Sequence, residues 1–173
     1  MAKVKNTGWK IVFLDEVNFT KTTLLTNAYS NKGANITVNQ KDIYSGYHSV
    51  ITAISTDNKV EHLFIDKKAI NNETYIIFLK QLRRKLRNEN VYLFMDNLAV
   101  HTKDNVMDMY DELGFKIVLN VKYMPDFQPI ESVFAQVKPP YARWRLQALA
   151  NDEEFDSIKN IKKAFKNVRS ETI

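Results

Sequence analysis

The chain has no cysteine among its 173 residues. Disulfides and zinc–thiolate sites are therefore excluded, and the composition is compatible with a reducing compartment. Glycine and proline are scarce, four of each, and the sequence shows no low-complexity tract, internal repeat or Gly/Pro-rich linker. No apolar run approaches the roughly 20 residues of a membrane-spanning helix. The first eight residues, Met-Ala-Lys-Val-Lys-Asn-Thr-Gly, lack the apolar core of a signal peptide. A strong charge of either sign is missing too: 25 Lys and Arg face 20 Asp and Glu, a formal +5. That balance permits a polyanionic partner and is equally well explained by a solvated, Lys-rich surface. The length predicts one domain over residues 1–173, able to bury roughly 70% of its unfolded surface without staples. Met1 falls so near the first strand that an excised domain is expected.

The period of the apolar residues changes along the chain. Trp9 to Phe19 reads as a long strand, and Thr23 to Ser30, before the turn residues Asn31-Lys32-Gly33, as its hairpin partner. His48 to Ser55 and Val60 to Ile65 read as two further strands, completing an antiparallel meander. Asn71-Asn72-Glu73 then caps a helix from about Thr74 to Leu86, with Tyr75, Phe78, Leu79, Leu82 and Leu86 at three- and four-residue steps. Val91 to Met95 is a continuous apolar strand, as expected of one covered on both faces. A helix from Lys103 to Leu113 stops at Gly114, and Phe115 to Val121 is another buried strand. A helix begins near Pro129, which Pro139-Pro140 is expected to kink or end. A last amphipathic helix is predicted from about Asp152 to Val168. This order predicts an α/β fold with a mixed sheet, an antiparallel meander plus parallel strands, flanked by helices.

Three carboxylates occupy special places in that pattern. Asp15 and Asp96 each follow an apolar strand run, Ile11 to Leu14 and Val91 to Met95, and Glu131 opens the helix that starts near Pro129. A carboxylate beside apolar strands is costly unless paired or metal-bound. Their segments hold no evident basic partner, so the three predict a divalent-cation site. All-oxygen ligands favour Mg²⁺ or Mn²⁺ over zinc.

In order, these segments resemble the mariner and bacterial insertion-sequence transposases, whose Asp-Asp-Glu triad sits on a ribonuclease-H-like fold. Phe13-Leu14-Asp15-Glu16-Val17-Asn18-Phe19 resembles that family's first-strand motif. Asp96-Asn97-Leu98-Ala99-Val100-His101 resembles its second. Met124-Pro125-Asp126-Phe127-Gln128-Pro129-Ile130-Glu131 resembles its third, with 34 residues between Asp96 and Glu131. Tyr29-Ser30-Asn31-Lys32-Gly33 is similar to a turn of the same family, and the likeness extends over about Trp9 to Val168. Gln128 stands where Asn is usual, Phe134 where Trp is frequent, and the double proline is unusual. The family's N-terminal helix-turn-helix domains, which read transposon ends, have no counterpart in this sequence.

The resemblance implies a metal-dependent transposase with Asp15, Asp96 and Glu131 as catalytic ligands of two Mg²⁺ or Mn²⁺ ions. Asp15 would lie between the ions, with Asp96 and Glu131 each completing one side. Two cations about 3.5–4 Å apart activate the attacking oxygen and stabilise the leaving one in phosphodiester chemistry. Water first frees a 3′-hydroxyl, which then attacks target DNA. The implied partners are transposon-end and target DNA, with a dimer in the DNA complex of the full-length protein. The expected setting is the nucleus if the host is eukaryotic, which the Tyr47 to Ser55 segment favours, and the cytoplasm or nucleoid if bacterial. Two other readings stay open: a ribonuclease-H-like nuclease acting on RNA–DNA hybrids or Holliday junctions, and a domesticated, catalytically silent DNA-binding or scaffold protein.

Supporting roles are expected nearby. Glu16 is structural or steadies a ligand from behind, and Asn97 orients a ligand or a loop. His101 contacts DNA, assists proton transfer or makes local hydrogen bonds. Lys122, Lys138, Arg143 and Arg145 flank the third motif and are placed to meet phosphates. His48 and His62 lack ligand spacing and read as structural. Arg83, Arg84, Lys85 and Arg87 read as a solvated face, and Tyr141 and Trp144 as packing residues.

Overall fold

The structure is a computed structural model and describes residues 8–20, 23, 47–56, 59–98, 101–120 and 129–168. Five strands form one sheet: β1 (Lys10–Phe19), β2 (His48–Ser55), β3 (Val60–Asp66), β4 (Val91–Met95) and β5 (Phe115–Leu119). The spatial order is β3-β2-β1-β4-β5. β1, β2 and β3 pair antiparallel, while β4 and β5 join β1 in parallel. The expected mixed α/β sheet is thus present. The predicted partner strand at Thr23–Ser30 and the Tyr29–Gly33 turn lie outside the described residues.

Side-chain alternation along β1 divides the core in two. Val12 and Leu14 face helices α1 (Asn72–Leu86) and α2 (Asp104–Glu112), where they meet Tyr75, Phe78, Leu79, Val106 and Tyr110. Ile11, Phe13, Val17 and Phe19 face α3 (Ile130–Ala150) and α4 (Ser157–Lys166), against Ile130, Val133, Phe134, Val137 and Ile161. The central strands are apolar on both faces because both faces are covered.

Local chemistry sets the helix ends. Asn71 caps α1: its side chain accepts from the Thr74 amide at 2.9 Å, and Thr74 Oγ1 receives the Asn71 N–H at 2.9 Å. Gly114 takes φ +67° just beyond the Leu113 C-cap of α2, a left-handed conformation that suits glycine.

Two sequence expectations need correction. Of the kink or end expected at Pro139-Pro140, the end is not there: α3 runs through both prolines to Ala150. A proline removes one amide donor, which leaves the carbonyl four residues earlier without its partner. Four residues before Pro139 stands Ala135, which is exposed, so water can serve its carbonyl. Val137, Tyr141 and Ala142 meanwhile hold the helix to the core. The last helix is also shorter than predicted. It starts at Ser157, where the Asp156 side chain accepts from the Lys159 amide at 2.9 Å, and the preceding Asp152 has φ 55°.

Candidate active site

Alternation places Asp15, between Phe13 and Val17, on the α3 side of the sheet. Asp96 follows Met95 at the carboxyl end of β4, which lies beside β1 with Phe94 opposite Phe13. Glu131 is exposed in the first turn of α3, where the helix dipole favours an anion. The backbone therefore draws the three from the middle of one strand, the end of its neighbour and the start of the helix packed over them.

Their electrostatics bear on one another. Burial, opposed by the Glu16 amide donating to Asp15 Oδ1 at 2.7 Å, pushes the Asp15 carboxyl up. The charges of Asp96, Glu131 and Glu16 add to the rise, which reaches about 7. The three carboxylates thus lie within electrostatic reach. They do not form a finished cage: among the described residues, no group of three or more His, Asp or Glu is set closely enough to hold an ion.

His101 links two of the acidic residues. It is 1% exposed. Its Nδ1 lies 3.2 Å from the Asp96 carbonyl oxygen and 2.9 Å from Asp96 Oδ1. Its Nε2 lies 3.6 Å from Glu16 Oε1. Both carboxylate contacts have ion-pair distances, and Asp96 Oδ1 and Glu16 Oε1 have no other hydrogen-bond donor among the described residues. Burial alone would lower the imidazole; the acceptors of Asp96 and Glu16 overcome it and raise it to about 9. Both ring nitrogens face acceptors, as a doubly protonated ring requires.

The oxygen-only chemistry of three carboxylates within electrostatic reach, one of them raised by burial and then by its neighbours' charges, suits a hard divalent cation.

Other predicted residues are distributed differently. Asn97 is exposed just after Asp96, with no contact among the described residues that defines a role. Glu16 faces His101, in keeping with a supporting position. Lys138 and Arg143 are exposed on α3. Arg145 is not: it is 2% exposed and Nη1 donates to the Thr20 carbonyl at 3.0 Å, so it ties α3 to the end of β1 and is not open to a phosphate. Lys122 and the segment from Met124 to Gln128 lie outside the described residues. His48 and His62 are buried; His62 stacks on Phe78 and pairs with Gln81 at 2.9 Å. Tyr141 packs edge-on against Phe19 and Phe155, and Lys163 lies over the Trp144 ring. Sequence reasoning placed Tyr75 on the apolar face of its helix and gave Tyr110 no role, yet the Tyr75 ring lies against His101 and both hydroxyls reach Met95, next to Asp96. Helical spacing carries no signal for that.

The fold is similar to that of several solved structures. The catalytic domain of Mos1 mariner transposase is 20% identical with a TM-score of 0.63, over 98% of this chain and 76% of that one. The same domain with raltegravir and manganese is 19% identical with a TM-score of 0.64, at 98% and 76% coverage. The Mos1 strand transfer complex is 22% identical with a TM-score of 0.64, covering 99% of this chain and 51% of that one. The chain therefore spans about half the length of the transposase chain in that complex. These likenesses establish a ribonuclease-H-like fold. No curated protein matches the sequence at a significant level. The sequence profile of the DDE superfamily endonucleases matches residues 10–156, most of the chain and all three carboxylates, and the protein belongs to that family.

Proposed function

We propose that the chain is the catalytic domain of a mariner-like transposase, cutting and joining DNA with Mg²⁺ or Mn²⁺, two ions per site. The observation that carries this is the placement of Asp15 in β1, Asp96 at the end of the neighbouring β4 and Glu131 in the first turn of α3, in a chain that matches the DDE superfamily endonucleases over residues 10–156; burial and then the charges of Asp96, Glu131 and Glu16 push the Asp15 carboxyl up. Carboxylates that destabilise one another in the free protein are arranged for a cation. The manganese in the Mos1 catalytic-domain structure supports the choice of metal. The bound cations supply charge stabilisation and a deprotonated nucleophile.

The chain's own residues set the geometry. Asp15 and Asp96 present oxygens from rigid strands, and Glu131 approaches from the facing helix. His101 holds Asp96 in place. In the first reaction a water oxygen bonds to phosphorus in line with the departing 3′-oxygen, which leaves as the free hydroxyl. In the second, that 3′-oxygen attacks a target phosphodiester and the target's own 3′-oxygen leaves. DNA is the proposed partner, with Lys138 and Arg143 on the exposed side of α3 as phosphate contacts and a dimer as the full-length assembly.

The test is a strand-transfer assay with a 3′-hydroxyl donor duplex, comparing wild type with Asp96→Asn in Mn²⁺. Joined product from wild type and none from a folded variant is expected. Cleavage without joining supports the nuclease reading instead. Equal activity in both proteins refutes the assignment of Asp96.

A further inference from the structure

The core beneath the carboxylates is not purely apolar. Tyr75 of α1 and Tyr110 of α2 are 0% and 1% exposed, and their hydroxyls meet at 3.0 Å. Both reach the sulfur of Met95, Tyr110 at 3.1 Å and Tyr75 at 3.7 Å. Met95 is the last residue of β4 and precedes Asp96. The Tyr75 ring also lies 4.7 Å from the His101 ring, tilted by 33°. His101 is the side chain that reaches Asp96 and Glu16.

Packing alone does not call for the two hydroxyls. A buried hydrogen-bonded pair adds little net stability over an apolar pair of the same shape. What the hydroxyls add is fixed direction. They tie α1, α2 and the end of β4 together at one point under Asp96.

We propose that Tyr75 is a positioning residue for Asp96, its ring backing the imidazole that grips the carboxylate while its hydroxyl, shared with Tyr110, braces Met95. The inference rests on the proposed function, because it concerns how a metal-ligating carboxylate is held. An aromatic ring packed this close to an imidazole limits its rotation. With the ring removed, His101 is free to turn and Asp96 loses its fixed rotamer. The cation must then order the carboxylate as it binds, and binding weakens.

The test uses the whole 173-residue chain with Tyr75→Leu and Tyr75→Phe. In EDTA, NMR reads the contact between the Tyr75 and His101 rings and the ring-current displacement of the His101 signals. Electron paramagnetic resonance then measures binding of Mn²⁺ alone. We expect a ring-to-ring contact in the wild type. Tyr75→Leu should lose the His101 displacement and bind Mn²⁺ about tenfold more weakly, the usual cost of losing a group behind a metal ligand, while Tyr75→Phe restores affinity to within about threefold. If Tyr75→Leu does not fold, Tyr75→Met, whose flexible chain fills the same space, carries the same expectation. Absence of the ring contact in wild type overturns the inference, as does a folded Leu or Met variant that binds Mn²⁺ as tightly as wild type. A wild type that binds no Mn²⁺ refutes the proposed function instead.

Discussion

Replacing Asp15 with Asn should stabilise the metal-free protein at pH 8. Asp15 rises from 3.8 to about 7 in the folded state. For an acid, a raised folded value means the native state holds its proton longer than the unfolded chain. Stability therefore falls as pH rises from about 3.8 to about 7 and stays reduced above that. The full shift corresponds to about 4 kcal/mol at 1.36 kcal/mol per unit. Partial exposure and salt screening reduce this to about 2 kcal/mol. The Asn side chain keeps the acceptor for the Glu16 amide, now 2.7 Å from Asp15 Oδ1, and removes only the charge. For a domain of this size, about 2 kcal/mol raises Tm by about 4–8 °C. The assay is thermal unfolding followed by circular dichroism in EDTA at pH 8 and pH 5. The gain should shrink by more than half at pH 5, where Asp15 is largely protonated in the native state. Added Mn²⁺ should stabilise wild type more than the variant, because only wild type has the full ligand set. A variant that melts no higher than wild type at pH 8, or a gain independent of pH, refutes the reasoning.

The buried Glu61 carboxylate pairs with Lys10 at 2.7 Å and Lys59 at 3.3 Å. Lys10→Met should cost about 3 kcal/mol in chemical denaturation by leaving that charge under-paired. Burial would raise Glu61, but its Lys10 and Ser55 partners lower it below 4.5; its contribution is therefore complete above pH 4.5 and is lost as acid titrates through the lower folded value, so the Lys10→Met deficit should shrink in acid. Asn71→Ala removes the capping box of α1 and should cost about 1 kcal/mol, with a loss below about 0.3 kcal/mol refuting the cap's role. Lys138→Ala and Arg143→Ala should each flatten the salt dependence of DNA binding by about one unit of log–log slope without lowering Tm, whereas Arg145→Ala should lower Tm. An unchanged slope removes either exposed residue from the interface.

The sequence by itself determined most of the elements and the identity of the candidate ligands. Strands next to apolar runs, caps such as Asn71 and the stop at Gly114 follow from local chemistry, so they are legible residue by residue. Asp15, Asp96 and Glu131 stood out because a carboxylate ending an apolar strand or opening a helix violates the surrounding pattern. The tertiary structure decided what depends on neighbours distant in sequence. α3 passes through Pro139-Pro140 because its apolar side is anchored to the core, which local propensity does not reveal. Arg145 reads as a surface cation, yet the fold brings it to the Thr20 carbonyl and buries it. Tyr75 reads as an ordinary core position, and Tyr110 carries no sequence signal. Only the packing of α1 and α2 against the end of β4 brings their hydroxyls to Met95 and the Tyr75 ring to His101. Periodicity shows which side of a helix is buried; it does not show which group the buried side will meet.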